Sequence, residues 1–281
     1  MHVLSSLLLT EIVISYHRKA GDCMQIGISS SCLYPMQVED AFRTVGELGA
    51  KTAEIFFNSY CELKKPLLSE IKSIKDYYGI NVRSIHPFTS AYEPVLFFGG
   101  YERRLKDGIE FYKNYFETAN ELGAEMVVLH GGRVYLETTP EEYAQSYILL
   151  HETALREGLH IAHENVHNHH CGNPEFMKAL ADLVGDEFRM VLDIKQCRRC
   201  SESAYDFINL LGEKIYQVHI SDGLPGKDCL APGAGEYDFK KLFSALHGAG
   251  YDKTAVIELY RHNYGDVEEL RTAKSYLENL L

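Results

Sequence analysis

The feature that most constrains this chain is an alternation. Short runs rich in β-branched and apolar residues recur eight times, each followed by a longer amphipathic stretch. The runs are 25–29 (QIGIS), 52–57 (TAEIFF), 82–86 (VRSIH), 126–130 (MVVLH), 159–164 (LHIAHE), 189–194 (RMVLDI), 215–220 (IYQVHI) and 255–259 (AVIEL). The 3.6-residue period predicts helices over 38–49, 66–78, 101–122, 140–157, 174–184, 203–211, 238–248 and 266–280. In the first of these Val38, Ala41, Phe42, Val45 and Leu48 form one apolar stripe. Gly49, Gly79, Gly123, Gly158 and Gly250 stand where helices stop, and Thr139-Pro140 and Asn173-Pro174 where they start.

Strict β–α alternation needs parallel strands joined by helical crossovers. Eight such units in 281 residues suit a closed (β/α)8 barrel, a single domain spanning residues 24–281. A doubly wound open sheet is the rival, but it usually has fewer strands and a glycine-rich first turn. The first turn here is SSSCLYP. Residues 1–23 read as an N-terminal extension arising from a misplaced start. Glu11 interrupts their apolar run, no Lys or Arg lies at the beginning, and no small-x-small cleavage site follows.

Both faces of a barrel strand are covered, so an ionised side chain there is costly unless paired or metal-bound. The exception is the C-terminal end, where it can point into the mouth of the barrel. Glu54, His86, His130, Glu164, Asp193, His219 and Glu258 stand near that end of strands two to eight. Neighbouring strands lie about 5 Å apart, so the last four groups are expected to converge. Three carboxylates that close raise each other's pKa unless a cation intervenes. With one imidazole they make a ligand set for a single divalent ion, Mn, Co, Zn or Mg.

The stretches VVLHGG (127–132), IAHENV (161–166), MVLDIKQ (190–196), VHISDGLPGKDCLAPGAGEYDF (218–239) and VIELY (256–260) also resemble a known family. It is the xylose isomerase-like TIM-barrel superfamily of sugar and sugar-phosphate isomerases and epimerases, to which endonuclease IV is related. The resemblance implies that Glu164, Asp193, His219 and Glu258 bind the metal, and that Glu164 and Glu258 are catalytic, moving protons. It departs at residue 196, where such epimerases usually carry His and this chain has Gln196, with Lys195 beside it as a substitute cation.

The expected function is therefore a metal-dependent sugar or sugar-phosphate isomerase or epimerase. It would abstract a proton next to a carbonyl and pass through an enediolate. An inosose-type dehydratase begins with the same proton abstraction. An endonuclease IV-like nuclease is the more distant alternative, wanting His where Gln196 and Leu230 stand. A non-catalytic sugar-binding protein would have little need of paired acid–base groups.

Expected substrate contacts are His86, His130, Gln196, Lys195, Lys227 and Arg261, with Lys227, Arg261 and Arg133 as phosphate candidates. Glu54 is expected behind the ligands or against substrate. The net charge of −12 disfavours duplex nucleic acid and anionic membranes. No apolar run approaches the roughly 20 residues of a membrane span. The partner is thus a small sugar or sugar phosphate, with homo-oligomerisation left open.

Seven scattered cysteines suggest free thiols in a reducing cytoplasm, CRRC (197–200) included. His163 should point away from the barrel interior, while His167, His169 and His170 should lie on a solvated loop. PGAGEYDF (232–239) should shape the loop before a helix that Asp238 caps.

Overall fold

The structure is a computed structural model that describes residues 24–281, so the expected extension over 1–23 lies outside the described residues. Seven strands come first: β1 (Gln25–Ser29), β2 (Thr52–Phe56), β3 (Asn81–His86), β4 (Met126–Leu129), β5 (His160–Glu164), β6 (Arg189–Asp193) and β7 (Ile215–Ile220). A small antiparallel hairpin, β8 (Asp222–Leu224) and β9 (Lys227–Leu230), precedes the last strand, β10 (Thr254–Ile257). The eight barrel strands close in the order β1-β10-β7-β6-β5-β4-β3-β2, and every pair is parallel.

The helices are α1 (Val38–Glu47), α2 (Leu67–Tyr78), α3 (Glu93–Phe97), α4 (Glu102–Leu122) and α5 (Pro140–Arg156). They continue with α6 (Pro174–Val184), α7 (Ile194–Cys200), α8 (Ala204–Leu211), α9 (Phe239–Gly248) and α10 (Glu268–Glu278). Eight of them cover the barrel much where the apolar periodicity places them. The short α3 and α7 and the β8–β9 hairpin are additions that the pattern does not announce. CRRC belongs to α7, a helix begun by Asp193, whose Oδ1 accepts from the backbone N–H of Lys195 (2.7 Å) and Gln196 (3.0 Å).

Two layers of packing hold the fold. Outward residues such as Ile55, Ile85, Val127, Ile161, Leu192 and Val218 meet the helices in one continuous core. Each buried aliphatic side chain there contributes on the order of 1.5–3 kcal/mol. Inside the barrel Met126, Val128, Ala162 and Val191 form a separate apolar cluster. A polar layer contains Ser29, Glu54, Ser84 and Gln217, all fully buried. Its members satisfy one another, Ser29, Ser84 and Gln217 each donating to Glu54, as buried polar groups require. Among the described residues no helix is long and apolar enough to cross a membrane.

Candidate active site

A cavity of about 460 Å³ opens at the C-terminal mouth of the barrel, and Glu164, Glu258, His86, His130, Lys195 and Gln196 line it with aromatic residues around them. Glu164 and Asp193 end β5 and β6, His219 is the penultimate residue of β7, and Glu258 immediately follows β10. One ligand atom from each of the four lies within 4.8 Å of the others. The structure thus brings together Glu164, Asp193, His219 and Glu258.

Glu54 does not reach the rim. It sits mid-strand in β2, where its carboxylate accepts from Ser29 Oγ (3.0 Å), Ser84 Oγ (2.7 Å) and Gln217 Nε2 (2.8 Å). Its Oε2 is also 3.1 Å from His219 Nε2. The imidazole is held from beneath, with Nδ1 turned toward Glu164 Oε1 (3.9 Å) and Glu258 Oε2 (3.6 Å). Burial raises the Glu54 pKa, but the His219 cation outweighs it and holds the carboxyl down at about 2. Burial also opposes protonation of His219, yet Glu54 and Glu258 push its pKa well up.

The other three candidate ligands have distinct surroundings. Glu164 Oε2 is 3.2 Å from His130 Nε2 and 3.8 Å from His86 Nε2, and the two imidazoles touch at 2.9 Å. Burial disfavours the Glu164 carboxylate, but these histidines and His219 hold its pKa well below the usual range. Asp193 spends Oδ1 on the α7 cap. Burial raises its pKa to about 6 despite Lys195 beside it. Glu258 Oε2 accepts from Lys195 Nζ at 2.8 Å. Burial would raise the Glu258 pKa, yet Lys195 and His219 lower it. Cys32 fixes the backbone on both sides of this glutamate, donating to Ile257 O and accepting from Leu259 N, each at 3.3 Å.

The donor set fits a divalent ion. Glu164 Oε2, Asp193 Oδ2 and His219 Nδ1 are buried in the same small volume without a well-formed hydrogen bond, although Oε2 lies 3.2 Å from His130 Nε2 and Oδ2 lies 3.0 Å from Lys195 Nζ. Buried acceptors with incomplete hydrogen bonding are costly, and a cation among them lowers the cost. A second cluster, His86, His130 and Glu164, also presents three ligand atoms within 4.8 Å of one another.

The remaining expected contacts divide. His86 stacks on Phe56 (ring centroids 4.7 Å apart) and lines the cavity with His130. Gln196 lines it too, with Oε1 accepting from His167 N at 3.0 Å. Lys227 and Arg261 do not line it. Lys227 stands exposed at the hairpin turn, and the Arg261 guanidinium is spent on the carbonyls of Tyr264 (3.0 Å) and Gly265 (3.2 Å). Arg133 is likewise absent from the lining. A cation just past a strand end can turn outward as readily as inward.

The expectation for the histidine loop needs correction. His163 does point outward, its Nε2 2.7 Å from Tyr143 Oη. His169, however, is buried, with Nδ1 on His167 O (3.0 Å), and His170 Nε2 meets Leu136 O at 2.8 Å. These side chains tie loops together instead of hydrating.

Two buried carboxylates outside the sequence-derived set shape the mouth. Glu93, in α3, accepts from the backbone N–H of His130 (2.6 Å) and Gly131 (2.8 Å) and from Tyr112 Oη (2.7 Å). It fixes the segment carrying His130. Asp222 accepts from four backbone N–H groups, those of Gly223 (2.7 Å), Gly233 (2.9 Å), Gly235 (3.0 Å) and Tyr237 (3.0 Å). It organises the glycine-rich loop, which then enters α9 through the Asp238 cap on Lys241 N (3.0 Å).

Comparison with known proteins agrees with this architecture. The sequence model of the xylose isomerase-like TIM barrel family matches residues 42–280. An inosose isomerase from Bacillus velezensis is 26% identical over 70% of this chain and 76% of its own length. Among solved structures, a D-tagatose 3-epimerase-like protein superposes with a TM-score of 0.77 at 20% identity, covering 92% of this chain and 97% of the other. An L-ribulose 3-epimerase gives 0.75 at 18%, covering 92% and 95%. At those identities the two structures speak for the fold.

Proposed function

Because this chain belongs to the xylose isomerase-like TIM barrel family, we propose that it is a divalent-metal-dependent isomerase or epimerase of a sugar or related cyclic polyol ketone. The observation that carries the reading is the convergence of Glu164, Asp193, His219 and Glu258 within 4.8 Å at the wall of the cavity. The names of the similar proteins, an inosose isomerase and two sugar epimerases, favour the substrate class.

Glu164, Asp193, His219 and Glu258 would hold the ion. When bound, it supplies Lewis-acid polarisation of a carbonyl and a counter-charge for oxygen that becomes negative. Glu164 and Glu258 come from strands separated by β6 and β7, so their carboxylates approach a bound substrate from different sides. One takes the proton from the carbon next to the carbonyl, and the other returns a proton to the opposite face or to the adjacent carbon. His86 and His130 donate to substrate hydroxyls from the β3–β4 side, and Gln196 contributes its amide from α7. Phe56, Phe88, Tyr34 and Tyr260 line the cavity and keep water away from the reacting carbons.

The test is metal analysis of the purified chain followed by incubation with ketoses and inososes in D₂O. Deuterium at the carbon beside the carbonyl, with stereochemical inversion or carbonyl migration, is the expected result. No solvent deuterium in any substrate would overturn the reading. Loss of water instead of epimerisation would identify the dehydratase that shares the first step.

A second reading has one observation in its favour. The His86, His130 and Glu164 cluster could hold a second ion, as phosphodiester hydrolysis often requires. Gln196 and Leu230 stand where that reading requires imidazoles, and the charge of −12 opposes DNA. Two or more ions per chain together with cleavage of abasic DNA would establish it.

A further inference from the structure

Asp193 has only one oxygen left to offer a metal. Its Oδ1 is committed to the backbone N–H groups of Lys195 and Gln196 at the start of α7. The remaining oxygen, Oδ2, lies 3.0 Å from Lys195 Nζ, and the same ammonium is 2.8 Å from Glu258 Oε2. The first turn of α7 thus folds Lys195 back over two of the four ligands, and its side chain is only 4% exposed. The ammonium sits over the Tyr260 ring, 5.1 Å from its centroid, and both residues line the cavity.

We propose that Lys195 is a resident cation of the metal centre, competing with the divalent ion for Asp193 Oδ2 and Glu258 Oε2. The inference rests on the metal-centre reading above and adds a positioning and exchange role for a residue that is not itself a ligand. In the metal-free chain three buried carboxylates, Glu54, Glu164 and Asp193, and the half-buried Glu258 need positive charge nearby. Lys195 provides it to Asp193, for which no histidine ion pair is found among the described residues, and shares Glu258 with His219 Nδ1, 3.6 Å away. It therefore keeps the ligand cage assembled without the ion.

The same charge opposes loading. A divalent ion taking Asp193 Oδ2 and Glu258 Oε2 meets an ammonium within hydrogen-bonding distance of both. Like charges at that separation in a water-poor site repel by more than a tenfold affinity change requires. The ammonium must move off before the ion is fully held. The wild-type centre is then weakly loaded and readily exchanged, and a neutral residue of the same length converts it into a tight one.

Chelator-stripped full-length protein and Lys195→Met are titrated with MnCl₂ by calorimetry, and both are melted with and without the ion. Lys195→Met is expected to bind Mn²⁺ at least about tenfold more tightly. It should melt lower than wild type when stripped and gain more from Mn²⁺. Binding by the variant that is weaker, or equal within about threefold, would mean that Lys195 supports the ligands without competing, and would overturn the inference while leaving the metal-centre reading intact. Absence of Mn²⁺ binding by both proteins would remove the metal-centre reading itself, and this inference with it. If the Met variant does not fold, Lys195→Gln is judged by the same thresholds. In ¹⁵N-lysine-labelled wild type, the Lys195 Nζ resonance should shift on saturation with diamagnetic Mg²⁺, and an unmoved resonance would count against displacement.

Discussion

Glu54 Oε2 lies 3.1 Å from His219 Nε2, on the side of the ring remote from Glu164 and Glu258. Gln217 Nε2 lies 2.9 Å from the same nitrogen; with the Nε2 proton facing the carboxylate, the Nδ1 lone pair is free for a cation, the usual way a carboxylate fixes a ligand histidine. Glu54→Gln removes the charge and keeps the shape. Divalent-ion affinity measured by calorimetry is expected to fall about 10–100-fold, with little change in the cavity. Unchanged affinity would show that His219 needs no such orientation.

Glu258→Gln separates proton transfer from folding. The amide can still accept from Lys195 Nζ through its oxygen, so the loop around Cys32 should persist. Turnover on the substrate identified by deuterium exchange is expected to drop about 10²–10⁴-fold, with loss of solvent deuterium incorporation. Wild-type turnover would exclude the proton-transfer role.

Glu93→Gln tests the support behind His130. The carboxylate satisfies three donors, the N–H groups of His130 and Gly131 and the Tyr112 hydroxyl. An amide nitrogen turned toward any of them leaves a buried donor without an acceptor, at a cost of about 1–3 kcal/mol. Urea denaturation should show that loss. In the protein that remains folded KM should rise more than kcat falls, because the group displaced first is His130, whose proposed role is to contact substrate.

His151→Phe is expected to stabilise the chain. His151 is buried and stacked on Tyr147, with ring centroids 5.3 Å apart, and neither ring nitrogen makes a well-formed hydrogen bond. Burial, aided by His160 and Arg189, lowers its pKa to about 4. The unfolded chain therefore takes up a proton near pH 6.5 that the folded chain refuses until about pH 4. This contribution to stability is complete above pH 6.5 and is lost as pH falls through that window. The variant should gain about 1 kcal/mol at pH 7 from relief of the unpaired nitrogens, and about 2 kcal/mol more at pH 5 from the missing proton uptake. Equal urea midpoints for the two proteins at pH 5 would contradict this account.

The barrel was legible because its physics is repetitive. Eight apolar runs, each followed by a helix and five of those helices stopped by a glycine, leave few other topologies. The four converging side chains were legible because charge at the end of a doubly covered strand demands a reason. Depth was not. Alternation gives the face toward which Glu54 points, but not that mid-strand position sets it below His219. Glu93 escaped notice because α3 is only five residues long and its sequence, EPVLF, reads as a proline-bearing loop. The same limit affected Lys195. Asp193, two residues before it, is a candidate ligand by its place at a strand end, yet only the turn into α7 folds the ammonium onto it. Lys227 and Arg261 show the converse, since proximity in sequence to a strand end does not specify the direction of a long, flexible side chain.

Asp222 binds four peptide groups spread over fifteen residues of chain, from Gly223 to Tyr237. A segment gathered on one anion cannot loosen a strand of contacts at a time; it is either knotted or undone. The flank of the mouth between β7 and α9 should therefore behave as a rigid jamb, against which any swinging part of the doorway would have to close.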